Sequence, residues 1–124
     1  MNIIFVALGG ALGSVMRYLV NGYIQPLANG FPLGTLLVNV SGCFVIGFLS
    51  YLAEGHGMFE DTTRAFMFVG ILGGFTTFSS FGNETLRLFR NDQILSALTN
   101  VGAHVILGLF AVWLGHMLAT IFWR

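Results

Sequence analysis

The sequence predicts an all-α membrane protein with four transmembrane helices in one domain. Of its 124 residues, 56% are hydrophobic and only 8% are charged, whereas a soluble domain carries about 25% charged residues. The apolar residues form four runs, each close to the ~20 residues that cross a bilayer. Every charged residue except Arg17 lies outside those runs, which are residues 3–20, 34–53, 65–83 and 93–123.

The first run, residues 3–20, carries small residues at helical spacing. Gly9 and Gly13 form a GxxxG pair, which is typical of close helix packing in membranes. Arg17 continues the same stripe near the end of the run. Because no basic segment precedes the run and Arg17 interrupts it, we expect this helix to be retained rather than cleaved as a signal peptide.

The second run, residues 34–53, is uncharged but contains polar groups. Thr35 and Asn39 are four residues apart and therefore share a helix face. The Asn39 amide offers two N–H donors, which can solvate an anion without attracting a cation. The alternative, and the commoner role of an asparagine in such a helix, is a hydrogen bond to a neighbouring helix.

The third run, residues 65–83, contains the stretch GGFTTFSSFG at positions 73–82. Its glycines and hydroxyl residues predict a helix that breaks in the middle. Phe78 and Phe81, three residues apart, share one helix face, and the electropositive edges of aromatic rings suit a narrow anion path. The alternative is that both rings lie in the core or face lipid.

The fourth run, residues 93–123, has polar residues on one face. Asn100, His104 and Gly108 recur every four residues, so the two side chains can supply donors along the same path. Glu84, near the end of the third run, is interpreted either as part of a polar face or as a carboxylate that is solvated or paired with Arg87.

The arginines predict no fixed orientation in the membrane. Four spans place Arg64 and Arg124 on one side, against Arg87, Arg90 and, near the end of its span, Arg17 on the other. Such a near-tie leaves the positive-inside rule without a preference. The chain either inserts both ways, so that two copies pair as an antiparallel dimer, or takes one orientation from weaker cues. Since four short helices hardly enclose a polar path alone, we expect a tightly packed oligomer.

Composition also excludes several classes of function. The net charge is zero and no basic run occurs, which argues against nucleic acid as a partner. The single cysteine, Cys43, rules out an internal disulfide and a cysteine-based metal site. No catalytic constellation or phosphate-binding loop is present, so we expect no enzyme activity.

Three stretches carry a resemblance to a known family, together with the length and the four-span layout. They are GGALGSVMRY, GTLLVNVSGCFVIG and GGFTTFSSF, at positions 9–18, 34–47 and 73–81. With them the sequence resembles, over essentially its whole length, the Fluc (CrcB) fluoride channels of microbes. The resemblance implies a passive, fluoride-selective channel that exports cytoplasmic fluoride and lowers its toxicity. It also implies an antiparallel, dual-topology homodimer with two pores, located as a multi-pass protein in the cell inner membrane.

The resemblance further implies roles for individual residues. Asn39, Phe78 and Phe81 match positions that line the fluoride pore, and Thr35 follows as the helix neighbour of Asn39. Arg17 matches an arginine associated with the vestibule. Read from the sequence alone, Arg17 either attracts anions there or pairs with an acidic residue, Glu84 or Asp92.

Two further sites follow from the resemblance. A polar track on the fourth helix falls near Asn100 and His104, where the family commonly has hydroxyl residues, so this chain departs from the pattern. The backbone carbonyls of Gly73 and Thr76 match a structural sodium site at the dimer centre.

Two other functions compete with a fluoride channel at this stage. A proton-coupled exporter of small molecules, as in other small four-span dimers, needs a titratable carboxylate deep in a span, and Glu84 at a helix end is the nearest candidate. A non-transporting subunit of a larger membrane assembly needs no polar path at all.

Overall fold

The computed structural model describes residues 2–123 and is helical throughout this range, apart from loops and turns. Four helical units are long and apolar enough to cross a membrane, which confirms the all-α, four-span prediction: Asn2–Leu27, Leu33–Gly55, Asp61–Arg90 and Ile94–Phe122. Their elements are α1 (Asn2–Ile24), a short 3-10 turn (Gln25–Leu27), α2 (Leu33–Gly55), α3 (Asp61–Arg64), a π-helical segment (Ala65–Leu72), α4 (Gly73–Phe75), α5 (Phe78–Arg90) and α6 (Ile94–Phe122). Arg124, used above in the charge comparison, lies outside the described residues.

The third helical unit, Asp61–Arg90, is broken as predicted, but not at the glycines. Gly73 keeps helical angles (φ −63°, ψ −37°), whereas Thr76 and Thr77 are extended, with ψ values of 156° and 116°. Of the predicted stretch 73–82, it is therefore Thr76 and Thr77, and not the glycines, at which the backbone leaves the helix. Glycine allows a helix to open but does not force it to, and at Gly74 packing against α1 favours the helix.

Helix α1 packs against this third unit through backbone-to-backbone contacts at glycines. A Cβ atom at Gly9 would lie 2.5 Å from the carbonyl oxygen of Phe66, and one at Gly74 would lie 2.6 Å from that of Gly10. A Cβ at Gly13 would likewise overlap backbone atoms of the third unit. The predicted GxxxG pair of Gly9 and Gly13 therefore lies in this interface, where small residues let the two backbones approach.

Helices α2 and α6 form the other close pair. A Cβ at Gly47 would overlap the Val112 backbone, and one at Gly115 would overlap the Phe44 backbone. Few large side chains are buried in this protein, and apolar residues such as Ile3 (83% exposed) point outward. That distribution is expected of a small bundle whose surroundings are lipid rather than water, because apolar exposure in lipid carries no hydrophobic penalty.

Candidate functional site

Asn39 of α2 forms a double hydrogen bond with the broken backbone of the third helical unit. Its Nδ2 donates to the carbonyl oxygen of Thr77 (3.0 Å), and its Oδ1 accepts from the Thr77 N–H (2.8 Å). Backbone groups at membrane depth need internal partners once they leave a helix. Asn39 therefore stabilises the break, and one of its two amide hydrogens is engaged there.

The two threonines at the break satisfy the adjoining helix ends. The N–H and hydroxyl of Thr76 both donate to the carbonyl of Leu72, at 2.9 and 2.8 Å. The hydroxyl of Thr77 accepts from the N–H of Ser80 (3.2 Å) and so caps the start of α5. Gly42 of α2 leaves room for the Thr76 methyl group, which a Cβ there would overlap.

These bonds free two carbonyl groups. In an unbroken helix the carbonyl of Gly73 would accept from the N–H of Thr77, and that of Thr76 from the N–H of Ser80. Here the first N–H bonds to Asn39 and the second to the Thr77 hydroxyl. The carbonyls of Gly73 and Thr76 have thus lost their helical donors.

Arg17 of α1 reaches one of these carbonyls. Its Nη1 donates to the oxygen of Thr76 at 3.4 Å, which is longer than the usual range for such a bond. Within residues 2–123 Arg17 does not pair with Glu84, whose Oε1 accepts from Thr35 and whose Oε2 has no hydrogen-bond partner. Gly9, Gly13 and Arg17 lie on one face of α1, and this face contacts the third helical unit up to its break.

An open cavity of about 420 Å³ lies beside the break. Its lining is mostly apolar and includes Gly42, Cys43, Leu72 and Val105. Six of the nine predicted site residues contribute to it: Asn39, Phe78, Phe81, His104, Gly73 and Thr76. The structure therefore brings together residues from α2, the third unit and α6 that are distant in sequence.

Three rings form a continuous row along the cavity. The centroids of Phe78 and Phe81 are 5.4 Å apart with planes at 54°, and those of Phe81 and His104 are 4.3 Å apart with planes at 43°. Phe78 is 82% exposed. A large ring at the open side of a cavity needs lipid or another protein surface to cover it.

Thr35 and Asn100 lie outside the cavity lining. Thr35 is 1% exposed and donates to Oε1 of Glu84 at 2.8 Å. Within residues 2–123 Glu84 forms no hydrogen bond to Arg87, since Oε1 accepts from Thr35 and the buried Oε2 has no hydrogen-bond partner. Thr35 thus joins α2 to α5, one helical turn from Asn39.

Asn100 links α5 and α6 through hydrogen bonds outside the cavity lining. It is fully buried, and its Nδ2 donates to the hydroxyl of Thr85 (2.9 Å), which in turn donates to the carbonyl of Phe81 (2.8 Å). The backbone carbonyl of Asn100 accepts from Nδ1 of His104 (2.9 Å). Asn100 is therefore placed to position Phe81 and His104.

The sequence of the chain matches the model of a known protein family. The family described as CrcB-like protein, Camphor Resistance (CrcB), matches residues 4–116. The chain belongs to the CrcB-like family.

This CrcB-like protein is similar to several relatives over nearly its whole length. One from Opitutus terrae is 49% identical over 120 residues, which is 94% of this chain and 91% of the relative. One from Helicobacter pylori (strain HPAG1) is 47% identical over 128 residues, 98% and 97% of the two chains. Both are named fluoride-specific ion channel FluC. A relative from Methanosarcina acetivorans, named fluoride-specific ion channel FluC 1, is 40% identical over 118 residues, 95% and 90% of the two chains.

Sequence reasoning missed two residues that organise the site of this CrcB-like protein. Thr77 was not singled out from the sequence, although a threonine directly before the first apolar residue of a helix, here Phe78, is a recognisable helix-capping signal. Thr85, which links Asn100 to the Phe81 carbonyl, gave no comparable signal, because its partners depend on how α5 meets α6.

Proposed function

We propose that this protein is a passive channel for fluoride, which exports the ion from the cytoplasm and lowers its toxicity. The observation that supports this proposal is the cavity beside the break, whose lining includes Asn39, Phe78 and Phe81. Two relatives of similar length are named fluoride-specific ion channel FluC, and among the described residues the lining contains no Asp, Glu, Lys or Arg.

The lining suits a small, strongly hydrated anion. A selective pore must replace the hydration shell while binding weakly enough for the ion to leave. Amide hydrogens and the positive edges of aromatic rings provide partial positive charge without a fixed cation. Because Nδ2 of Asn39 uses one hydrogen on Thr77, the second hydrogen is the donor assigned to fluoride.

Export needs no energy source beyond the membrane potential. Neutral hydrogen fluoride crosses lipid and ionises inside, where the anion is then trapped. An inside-negative potential drives an anion outward with about 2.3 kcal/mol per charge per 100 mV. A pore in the cell inner membrane would therefore lower cytoplasmic fluoride passively.

The functional unit would be an antiparallel, dual-topology homodimer. A single chain leaves the cavity open on one side, where Phe78 is 82% exposed. The apolar surface of a second copy would cover that side. The near-equal division of arginines between the two sides permits insertion in both orientations. Two copies would then form two pores.

A structural sodium ion fits the break at the centre of such a dimer. Hard cations prefer oxygen ligands, and the carbonyls of Gly73 and Thr76 have lost their helical donors to Asn39 and Thr77. Two copies would supply four such oxygens. Arg17 also donates to the Thr76 carbonyl, at 3.4 Å, and that oxygen keeps a second lone pair.

The experiment that tests the channel proposal is ion efflux from liposomes that contain the purified protein. We expect fluoride release without an imposed proton gradient, little chloride release, and loss of fluoride flux in Phe81→Ile, which keeps bulk but removes the ring. Leu109→Ile, at an exposed position on α6 (69% exposed), is the matched control. Equal passage of fluoride and chloride would refute selectivity, and unchanged flux in Phe81→Ile would refute the role of the ring.

A further inference from the structure

The sequence contains two Asn–Gly pairs, Asn21–Gly22 and Asn29–Gly30. An asparagine that precedes a glycine can lose its side-chain amide, because the backbone nitrogen of the glycine can attack the side-chain carbon Cγ. Glycine permits this attack best, since it has no Cβ atom to shield the nitrogen. The two pairs are chemically alike, so a difference in their reactivity must come from the structure around them.

Asn29 and Gly30 form the tip of the connection between α1 and α2. Their φ values are +46° and +91°, and the N–H of Phe31 donates to the carbonyl of Ala28 at 3.0 Å. Two positive φ values inside such a bond define a type I′ turn, for which Asn–Gly is a preferred pair. Both residues are exposed, and a Cβ at Gly30 would meet nothing within 4 Å. The nitrogen of Gly30 is therefore open to its neighbouring side chain and to water.

The hydrogen bonds that stabilise this loop leave the reacting groups free. Among the described residues, no backbone carbonyl accepts from the N–H of Gly30. Gln25 stabilises the loop from one side, because its Nε2 donates to the carbonyl of Phe31 (2.8 Å) and its Oε1 accepts from the N–H of Gly34 (3.3 Å). Neither of these bonds uses the side chain of Asn29. The amide of Asn29 can thus approach the nitrogen of Gly30 while the loop keeps its bonds.

The other pair, Asn21 and Gly22, lies within α1 (Asn2–Ile24). In a helix the N–H of Gly22 donates to the carbonyl four residues earlier, so its nitrogen is held away from the side chain of Asn21. That side chain packs against α2: its Oδ1 is buried, and a Cβ at Gly34 would lie 2.6 Å from it. Attack at Asn21 therefore requires local opening of the helix. An opening that costs about 1.4 kcal/mol slows the reaction about tenfold.

We propose that Asn29 is a site of spontaneous deamidation, whereas Asn21 is protected by its helix. The nitrogen of Gly30 bonds to Cγ of Asn29, the bond from Cγ to Nδ2 breaks, and the amide leaves as ammonia with the proton of the Gly30 N–H. Water then opens the resulting five-membered imide at either of its carbonyls. The products are aspartate and isoaspartate. One water is consumed and one ammonia is released, with no oxidation or reduction.

The modification changes a loop that is otherwise uncharged. Residues 25–32 contain no Asp, Glu, Lys or Arg, and either product places a carboxylate there. Isoaspartate also carries the main chain through its side-chain carbon, which adds one methylene to the backbone between α1 and α2. Because the bonds of Gln25 do not involve Asn29, we expect the modified chain to stay folded. The proposal concerns this loop alone and does not depend on the transport function.

The test is peptide mapping by mass spectrometry of the folded wild-type protein, incubated in detergent micelles at mildly alkaline pH. Water labelled with heavy oxygen marks each deamidation that occurs during the incubation, since its oxygen enters the new carboxyl group. Chymotryptic cleavage after Tyr23 separates the two pairs. We expect labelled product to form at Asn29 at least about tenfold faster than at Asn21, which corresponds to the opening cost given above. A smaller difference, or no product at Asn29, overturns the proposal.

Two controls separate the effect of the fold from that of the sequence. Synthetic peptides of residues 18–25 and 26–33 contain the same pairs without the fold and should react at similar rates; a tenfold difference between the peptides would overturn the structural explanation. Asn29→Gly keeps a residue that accepts a positive φ but has no side-chain amide, so labelled product should disappear from this loop. Label that persists there in the variant would assign the reaction to another residue and overturn the proposal.

Discussion

Replacement of Asn39 by leucine should destabilise the break in the third helical unit. The substitution keeps the branched shape of the side chain and removes both hydrogen bonds to Thr77, at 3.0 and 2.8 Å. Thr77 is 7% exposed, so water does not replace the lost partner. A buried group left without a hydrogen bond costs about 1–3 kcal/mol. Two such groups, one N–H and one C=O, therefore lower the free energy of unfolding by about 2–6 kcal/mol.

The assay is thermal unfolding in detergent micelles together with fluoride efflux from liposomes. Ser41→Ala is the control on the same helix, because Ser41 is exposed and its hydroxyl bonds only to the carbonyl of Val38 within α2. That control should change stability by less than about 0.5 kcal/mol. If Asn39→Leu unfolds at the wild-type temperature, the Asn39 amide does not stabilise the break. Loss of flux at unchanged stability would assign Asn39 to the pore alone.

Two further substitutions test the packing and the polar network. Gly13→Ala should destabilise the protein by about 1–3 kcal/mol, the usual cost of overpacking, because its Cβ would overlap the carbonyl of Ile71; Gly22→Ala, with nothing within 4 Å, should not. Equal melting temperatures would contradict the close approach of α1. Thr85→Val should cost about 1–3 kcal/mol by leaving the Nδ2 of buried Asn100 without its partner, whereas Thr85→Ser should retain most of the stability; equal losses in both variants would point to packing instead of the hydrogen bond.

The division between prediction and structure is clearest at the break. Hydropathy and the run of Gly, Thr and Ser predicted four spans and an interruption in the third, because both depend on local composition. The position of the interruption was not predictable in the same way. Gly74 stays helical against Gly10 of α1, and the chain opens at Thr76 and Thr77, where Asn39 of another helix replaces the helical partners of Thr77.

The predicted site divides along similar lines. The family resemblance assigned Asn39, Phe78 and Phe81 to one pore, and the structure places all three on one cavity. Asn100 and Thr35, assigned to the same path, are buried in hydrogen bonds to α5 instead. Periodicity identifies which residues share a helix face, but it carries no information about which neighbouring helix that face meets.

The sequence by itself determined the four spans, the GxxxG pair of the first helix and which uncharged polar residues the spans contain. Length, hydropathy and helical spacing are local properties of the chain. The tertiary structure decided where the third helix opens. The opening depends on another helix, because the side-chain amide of Asn39 in α2 replaces the helical partners of Thr77, and Gly42 of α2 leaves room for the Thr76 methyl group. A partner from another helix is not a local property of the sequence.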